Sequence, residues 1–139
     1  MITEMQGRVI VPGSAEGAVL ASTEPLSFWG GYDQVTGEII DRRHPLSGSR
    51  AAGTILVLPF TRGSSTTTAI FLESVRAGVA PAALITDRAD VFLALASAVA
   101  DEMYQKPVAM VAVSSEDFAE LQSARRIRLD GNGVVQVLE

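Results

Sequence analysis

The sequence predicts a mixed α/β domain with a partly parallel sheet. Two observations point to parallel pairing. The apolar runs Thr54 to Leu58 and Ala80 to Thr86 are each followed by a helical pattern long enough to cross back over a sheet. A third observation adds an antiparallel part: Arg126 to Leu129 and Val134 to Leu138 alternate around Asp130-Gly131-Asn132-Gly133, a hairpin sequence.

The β-branched run Arg8-Val9-Ile10-Val11 reads as a strand stopped by Pro12-Gly13, and Ala18 to Ala21 as a second strand. Thr23 to Gly53 carries many turn formers, and loops of that length are often functional. The plainer alternative there is a hairpin turning at Gly37 with Trp29 in the core. Thr-Ile-Leu-Val-Leu, ending at Pro59, suits a strand covered on both faces. Ile70, Phe71, Val75 and Arg76 continue a helix that Gly78 can cap. After the strand Ala80 to Thr86, Asp87 or Asp90 can cap the next helix. Its Val91, Leu95, Val99 and Met103, beside Phe92, Ala96 and Ala100, form one broad apolar face, the side a helix turns to a core. Pro107 opens a strand from Val108 to Val113. Ser114 or Ser115, with Glu116 and Asp117, starts a short helix reaching about Ala124.

Composition excludes several classes. With 139 residues, the chain is expected to be one domain, 1–139. Hydrophobic residues make up 47% and charged residues 19%, which excludes a disordered chain. A net charge of -5 disfavours nucleic acid as a partner. The absence of cysteine removes disulfides, thiolate nucleophiles and cysteine-ligated zinc or iron–sulfur sites, and a single histidine removes a multi-histidine metal site. No metal or cofactor is therefore expected on this chain. No apolar run reaches the roughly 18 residues of a membrane span. The acidic start Met1-Ile2-Thr3-Glu4 does not resemble a signal peptide. The expected location is the cytoplasm.

Pro59 to Thr68 holds the most chemistry. A buried strand ends, Gly63 permits a tight turn, and Ser64, Ser65 and three threonines open a helix. Free N–H groups and the dipole at a helix start favour an anion. Arg62 adds a planar donor fork for carboxylate or phosphate. The bland alternative is an ordinary serine cap beside a solvated arginine. The segment is neither a P-loop, lacking the Gly-Lys-Ser/Thr ending, nor a nucleophile elbow, lacking the second glycine. His44 is a lone histidine before Pro45, a setting more often structural than catalytic. Ser64, His44 and Asp41 supply the residue types of a hydrolase triad, without a spacing that argues for one.

Ser27-Phe28-Trp29-Gly30-Gly31-Tyr32-Asp33, Thr36-Gly37-Glu38-Ile39-Ile40-Asp41, His44-Pro45-Leu46-Ser47-Gly48, Pro59 to Ser65 and Gly78-Val79-Ala80-Pro81-Ala82-Ala83 together resemble the small-subunit, swivelling-domain portion of aconitase X. The resemblance runs from about Gly7 to Val111. It implies a swivelling β/β/α domain with mixed sheets and flanking helices. It also implies a heterodimer or larger assembly with a large aconitase X subunit, which would carry an iron or iron–sulfur centre that activates the leaving hydroxyl. Family members are hydro-lyases acting on small carboxylates. One branch dehydrates cis-3-hydroxy-L-proline, the substrate favoured here, and another mevalonate 5-phosphate.

By residue match, Ser64 would be the catalytic base. Arg62, Gly63, Ser65, Thr66 and His44 would bind substrate. An alkoxide base requires surrounding donors and positive charge, which suits this loop. Two departures stand out: Thr61 where the family usually has glycine, and Thr66 where classical aconitases carry arginine. The resemblance further places the shared interface near Phe28 to Leu46 and the Ser64 loop. A non-catalytic interaction module of the same fold, and a self-sufficient hydrolase using Ser64, His44 and Asp41, are the competing classes.

Overall fold

Side-chain alternation along the central strands explains the layers of the structure. This computed structural model describes residues 3–62 and 64–139, with Ser64 described by its backbone alone. Ten strands are present: β1 (Thr3–Gln6), β2 (Arg8–Val11), β3 (Ala15–Ala21), β4 (Leu26–Ser27), β5 (Ile55–Val57), β6 (Thr61–Arg62), β7 (Ala83–Thr86), β8 (Ala109–Ala112), β9 (Arg126–Leu129) and β10 (Val134–Val137). Four helical segments join them: α1 (Phe28–Gly31), α2 (Ser64–Arg76), α3 (Val91–Tyr104) and α4 (Ser115–Leu121). Successive residues of a strand face opposite sides. Ile55, Val57, Ala83, Ile85, Ala109 and Val111 enter one core with Met5, Ile127, Leu129 and Val135, to which α4 adds Phe118 and Leu121. Leu56, Leu58, Leu84 and Met110 enter a second core with Phe71 and Val75 of α2 and Leu93, Ala96 and Ala100 of α3. The result is sheet, sheet and helix in layers, the β/β/α arrangement.

The main strand order is β1-β10-β9-β3-β5-β7-β8-β2. β3, β5, β7 and β8 run parallel, and α2 and α3 are the crossovers between β5, β7 and β8. β3 pairs with β9 through Ala15–Ala18 and with β5 through Val19–Ala21, so it serves both sheets. β1 and β2, at opposite ends of the order, are successive halves of one strand bent at Gly7. A Cβ at Gly7 would lie 2.0 Å from Val111 Cγ1, and the Gly7 N–H donates to Gly133 O at 2.9 Å. Only glycine lets the strand pass this corner.

Two expectations need correction. In the long segment, the isolated pairings Tyr32↔Ile39 and Glu38↔Arg50 do form a short hairpin around Gly37 (φ 77°). Trp29, however, is 65% exposed. Phe28 takes the core position instead, stacked on Tyr32 at 4.8 Å between ring centroids and tilted against Phe71 at 5.6 Å. The chain leaves helical geometry at Trp29 (ψ 116°), and Gly30 turns with φ 75°, which directs the indole outward. The broad apolar face of α3 is likewise divided. Leu93, Ala96 and Ala100 are buried, whereas Val91, Leu95 and Met103 are 70%, 52% and 57% exposed. Of the two candidate caps, Asp90 serves α3, accepting from the Leu93 N–H at 3.1 Å. β1 had no counterpart in the expected strands.

Ser97 is a polar residue in the buried side of α3. Its Oγ donates to Val108 O at 2.8 Å and accepts from the Val108 N–H at 2.7 Å, fixing the entry to β8. Ser97→Ala leaves both backbone groups unpaired in the core. It is expected to cost about 1–3 kcal/mol, read as a lower urea midpoint with an unchanged slope.

Candidate active site

The site loop leaves β5 at the carboxyl end of the parallel strands, where open α/β sheets bind ligands. Leu58 N–H donates to Ile85 O at 3.0 Å before the chain turns at Pro59-Phe60. β6 then pairs in parallel with β4, placing Leu26 opposite Thr61 and Ser27 opposite Arg62. Asp90 anchors this short strand. Its Oδ2 accepts from the Thr61 N–H at 2.8 Å and from Thr61 Oγ1 at 2.6 Å, while its Oδ1 caps α3. The threonine at the departure position is thus a ligand of the α3 cap. Asp90→Ala removes both functions and is expected to cost about 1–3 kcal/mol in thermal unfolding, more than Thr61→Val, which keeps the N–H bond.

Beyond β6, helix α2 begins at Ser64. Gly63 and the side chain of Ser64 lie outside the described residues. Thr67 is fully buried, and its Oγ1 donates to Arg62 O at 2.6 Å, closing the loop from within. Thr68 Oγ1 donates to Phe92 O at 3.0 Å, tying the start of α2 to the start of α3. Ser65 and Thr66 are exposed at the first turn, and Arg62 is exposed beside them. Unpaired N–H groups at such a helix start carry partial positive charge.

A cleft of about 480 Å³ opens next to the loop, lined by Glu24, Pro25, Asp41, Arg43, His44, Pro45 and Arg62. Two of the expected binding residues, Arg62 and His44, therefore meet at one cavity. Ser65 and Thr66 are not among its lining residues. Of the other arginines that the sequence could bring near the loop, Arg43 lines the cleft. Arg50 points elsewhere, donating to Thr36 O at 3.1 Å.

His44 is buried, and both ring nitrogens are engaged. Nδ1 accepts from the Leu46 N–H at 3.1 Å, and Nε2 lies 3.1 Å from Glu24 O. An amide can only donate, so Nδ1 is bare and Nε2–H donates to the carbonyl. The ring thus walls the cleft and pins two of its segments. The hydrolase triad does not assemble. That relay needs Nδ1–H donating to a carboxylate, whereas Nδ1 here accepts and Asp41 Oδ1 takes the Arg43 N–H at 3.0 Å. Tyr32 is also structural: its hydroxyl donates to Val79 O at 2.7 Å, and burial pushes the phenol pKa well up.

Among the described residues, no group of three or more His, Cys, Asp or Glu could hold a metal ion, and the sequence has no cysteine. The donor set of this chain does not fit an iron or iron–sulfur centre. No helix among the described residues is long and apolar enough to cross a membrane.

The chain is 39% identical over 132 residues to the protein named cis-3-hydroxy-L-proline dehydratase of Hypocrea jecorina (strain QM6a), covering 95% of this chain and 22% of that protein. It therefore spans about a fifth of that relative's length. It is 35% identical over 130 residues to the phosphomevalonate dehydratase small subunit of Methanothermobacter thermautotrophicus, covering 93% of this chain and 95% of that subunit. Its structure superposes on the crystal structure of Thermococcus kodakaraensis aconitase X (holo-form) with a TM-score of 0.86 and 34% identity, covering 99% of both chains. The strand order, the helical layer and the loop between β6 and α2 occur in a sequence that matches the aconitase X swivel domain over residues 4–137. The chain belongs to the aconitase X swivel domain family.

Proposed function

We propose that this chain is the small, swivelling component of an aconitase X-type hydro-lyase. It works in the cytoplasm, paired with a large component, on a small hydroxy carboxylate. The observation that carries the reading is the meeting of Arg62, Arg43 and His44 at one cleft, with Arg62 lying just before the start of α2 at the carboxyl ends of the parallel strands. The substrate carboxylate is held by the Arg62 fork with Gly63, Ser65, Thr66 and the free N–H groups of the helix start. Ser64, the first residue of α2, removes the proton from the carbon beside the carboxylate. Hydroxide leaves the neighbouring carbon and a double bond forms. Helix dipole and guanidinium both favour the deprotonated serine. His44 keeps the cleft wall in place. The iron or iron–sulfur centre belongs to the large component, since the donors of this chain do not fit one.

cis-3-Hydroxy-L-proline is the favoured substrate, supported by 39% identity to a relative of that name against 35% for the phosphomevalonate relative. One observation favours the second reading, mevalonate 5-phosphate. Arg43 joins Arg62 at the cleft, and two guanidiniums suit a substrate carrying both a carboxylate and a phosphate. Purifying the chain with its large component and assaying both compounds decides between them. Dehydration of cis-3-hydroxy-L-proline by the pair, and not by this chain alone, is the expected result. Turnover of mevalonate 5-phosphate only would transfer the assignment. A pair that forms but dehydrates neither favours the non-catalytic module.

A further inference from the structure

We infer that the exposed apolar stripe of α3, Val91, Phe92, Leu95 and Met103, is a docking surface for the large component of the dehydratase. The inference rests on the function proposed above and names the surface through which that partner engages. The four side chains are 70%, 41%, 52% and 57% exposed, although the opposite side of the same helix is packed into the core. Val91, Leu95 and Met103 lie at steps of four and eight residues, so they follow one outward line of the helix.

The stripe is continuous with the candidate site. Phe92 O accepts from Thr68 Oγ1 in the first turns of α2, and Asp90, one residue before the stripe, holds Thr61 of the site strand. Across α2 stands a second exposed apolar group, Trp29, 65% exposed and two residues after Ser27, which faces Arg62. The loop that begins α2 is therefore bracketed by apolar side chains on α1 and α3. Trp is the residue type most often dominant at interface centres.

Size argues for the occupant. Four side chains fall well short of the roughly 800 Å² per partner that a stable association buries, so the stripe is one part of a wider footprint. In the Hypocrea relative the matched stretch is 22% of the chain, so most of that protein lies outside this domain and is large enough to cover such a footprint. A body of that size, seated across Trp29, the loop and α3, covers the site as the dehydratase reading requires. A second copy on the same stripe would instead obstruct the approach of the large component to the loop.

The test measures affinity between the large component and three forms of this chain: unaltered, Val91→Ser/Leu95→Ser, and Trp29→Ser. The expected result is binding by the unaltered chain and at least a tenfold weaker dissociation constant for both variants. Because the substituted side chains are exposed, the unfolding temperatures of the free variants should stay close to the parent value. If the double variant is destabilised, Leu95→Gln alone serves in its place. Unaltered affinity in the variants would overturn the inference and leave the dehydratase reading standing. No binding by the unaltered chain would overturn both. A homodimer of this chain, broken by the substitutions while the large component still binds normally, would assign the stripe to a second copy and overturn the inference.

Discussion

Ser64→Ala is expected to lower kcat of the assembled dehydratase by about 10³-fold, within the range for a positioned general base. Assembly and KM should change little. Alanine is a strong helix former, so the variant keeps α2 while losing the oxygen proposed to accept the proton. The groups proposed to hold the carboxylate, Arg62 and the first N–H groups of α2, remain. Steady-state kinetics on the purified pair, with a pull-down as the assembly control, check this. A fall in kcat of less than tenfold would remove Ser64 from the role of base. A fall with loss of the complex would mean that the serine shapes the interface instead.

Phe28→Ala is expected to destabilise the free chain by about 3–5 kcal/mol, a large part of the stability of an ordinary domain. Phe28 is fully buried, stacked on Tyr32 and set against Phe71 of α2. Removing the ring opens a cavity between the hairpin segment and the helical layer. Phe28 also follows directly on Ser27, the partner of Arg62 in the β4–β6 pair. The loosening should therefore extend to the site strand and raise KM in the assembled enzyme. Urea unfolding measures the first effect. A cost below about 1 kcal/mol would show that the segment is held by its hairpin rather than by this ring.

The parallel part of the fold was legible because burial on both faces leaves a strand no polar positions. Ile55–Val57 and Ala83–Thr86 advertise themselves in that way, and the hairpin around Asp130 to Gly133 does so by its turn residues and alternating flanks. The α3 face misled because periodicity reports which residues share a side of a helix, not what covers it. Val91 and Leu95 repeat as regularly as Leu93 and Ala96, and only the three-dimensional packing separates them. Trp29 misled for a related reason: size and hydrophobicity predict burial, yet one backbone turn at Gly30 gave the core place to its neighbour.

At the site, the loop from Arg62 to Thr66 announced itself through residue type. Its supports did not. Asp90 read as a cap, and the second oxygen that holds Thr61 from 29 residues away is invisible to local patterns. Thr67 looked like one more hydroxyl in a polar run, and its bond to Arg62 O depends on the turn geometry of the folded chain.

The corner at Gly7 has a consequence for how this domain meets other proteins. Because the first and last strands of the order are two halves of one bent segment, each margin of the sheet among the described residues is a strand of only four residues. Margins so short give a visiting polypeptide little ladder to hydrogen-bond alongside, the usual route to both peptide capture and fibrous self-association. Recognition of this domain therefore falls chiefly to its side chains.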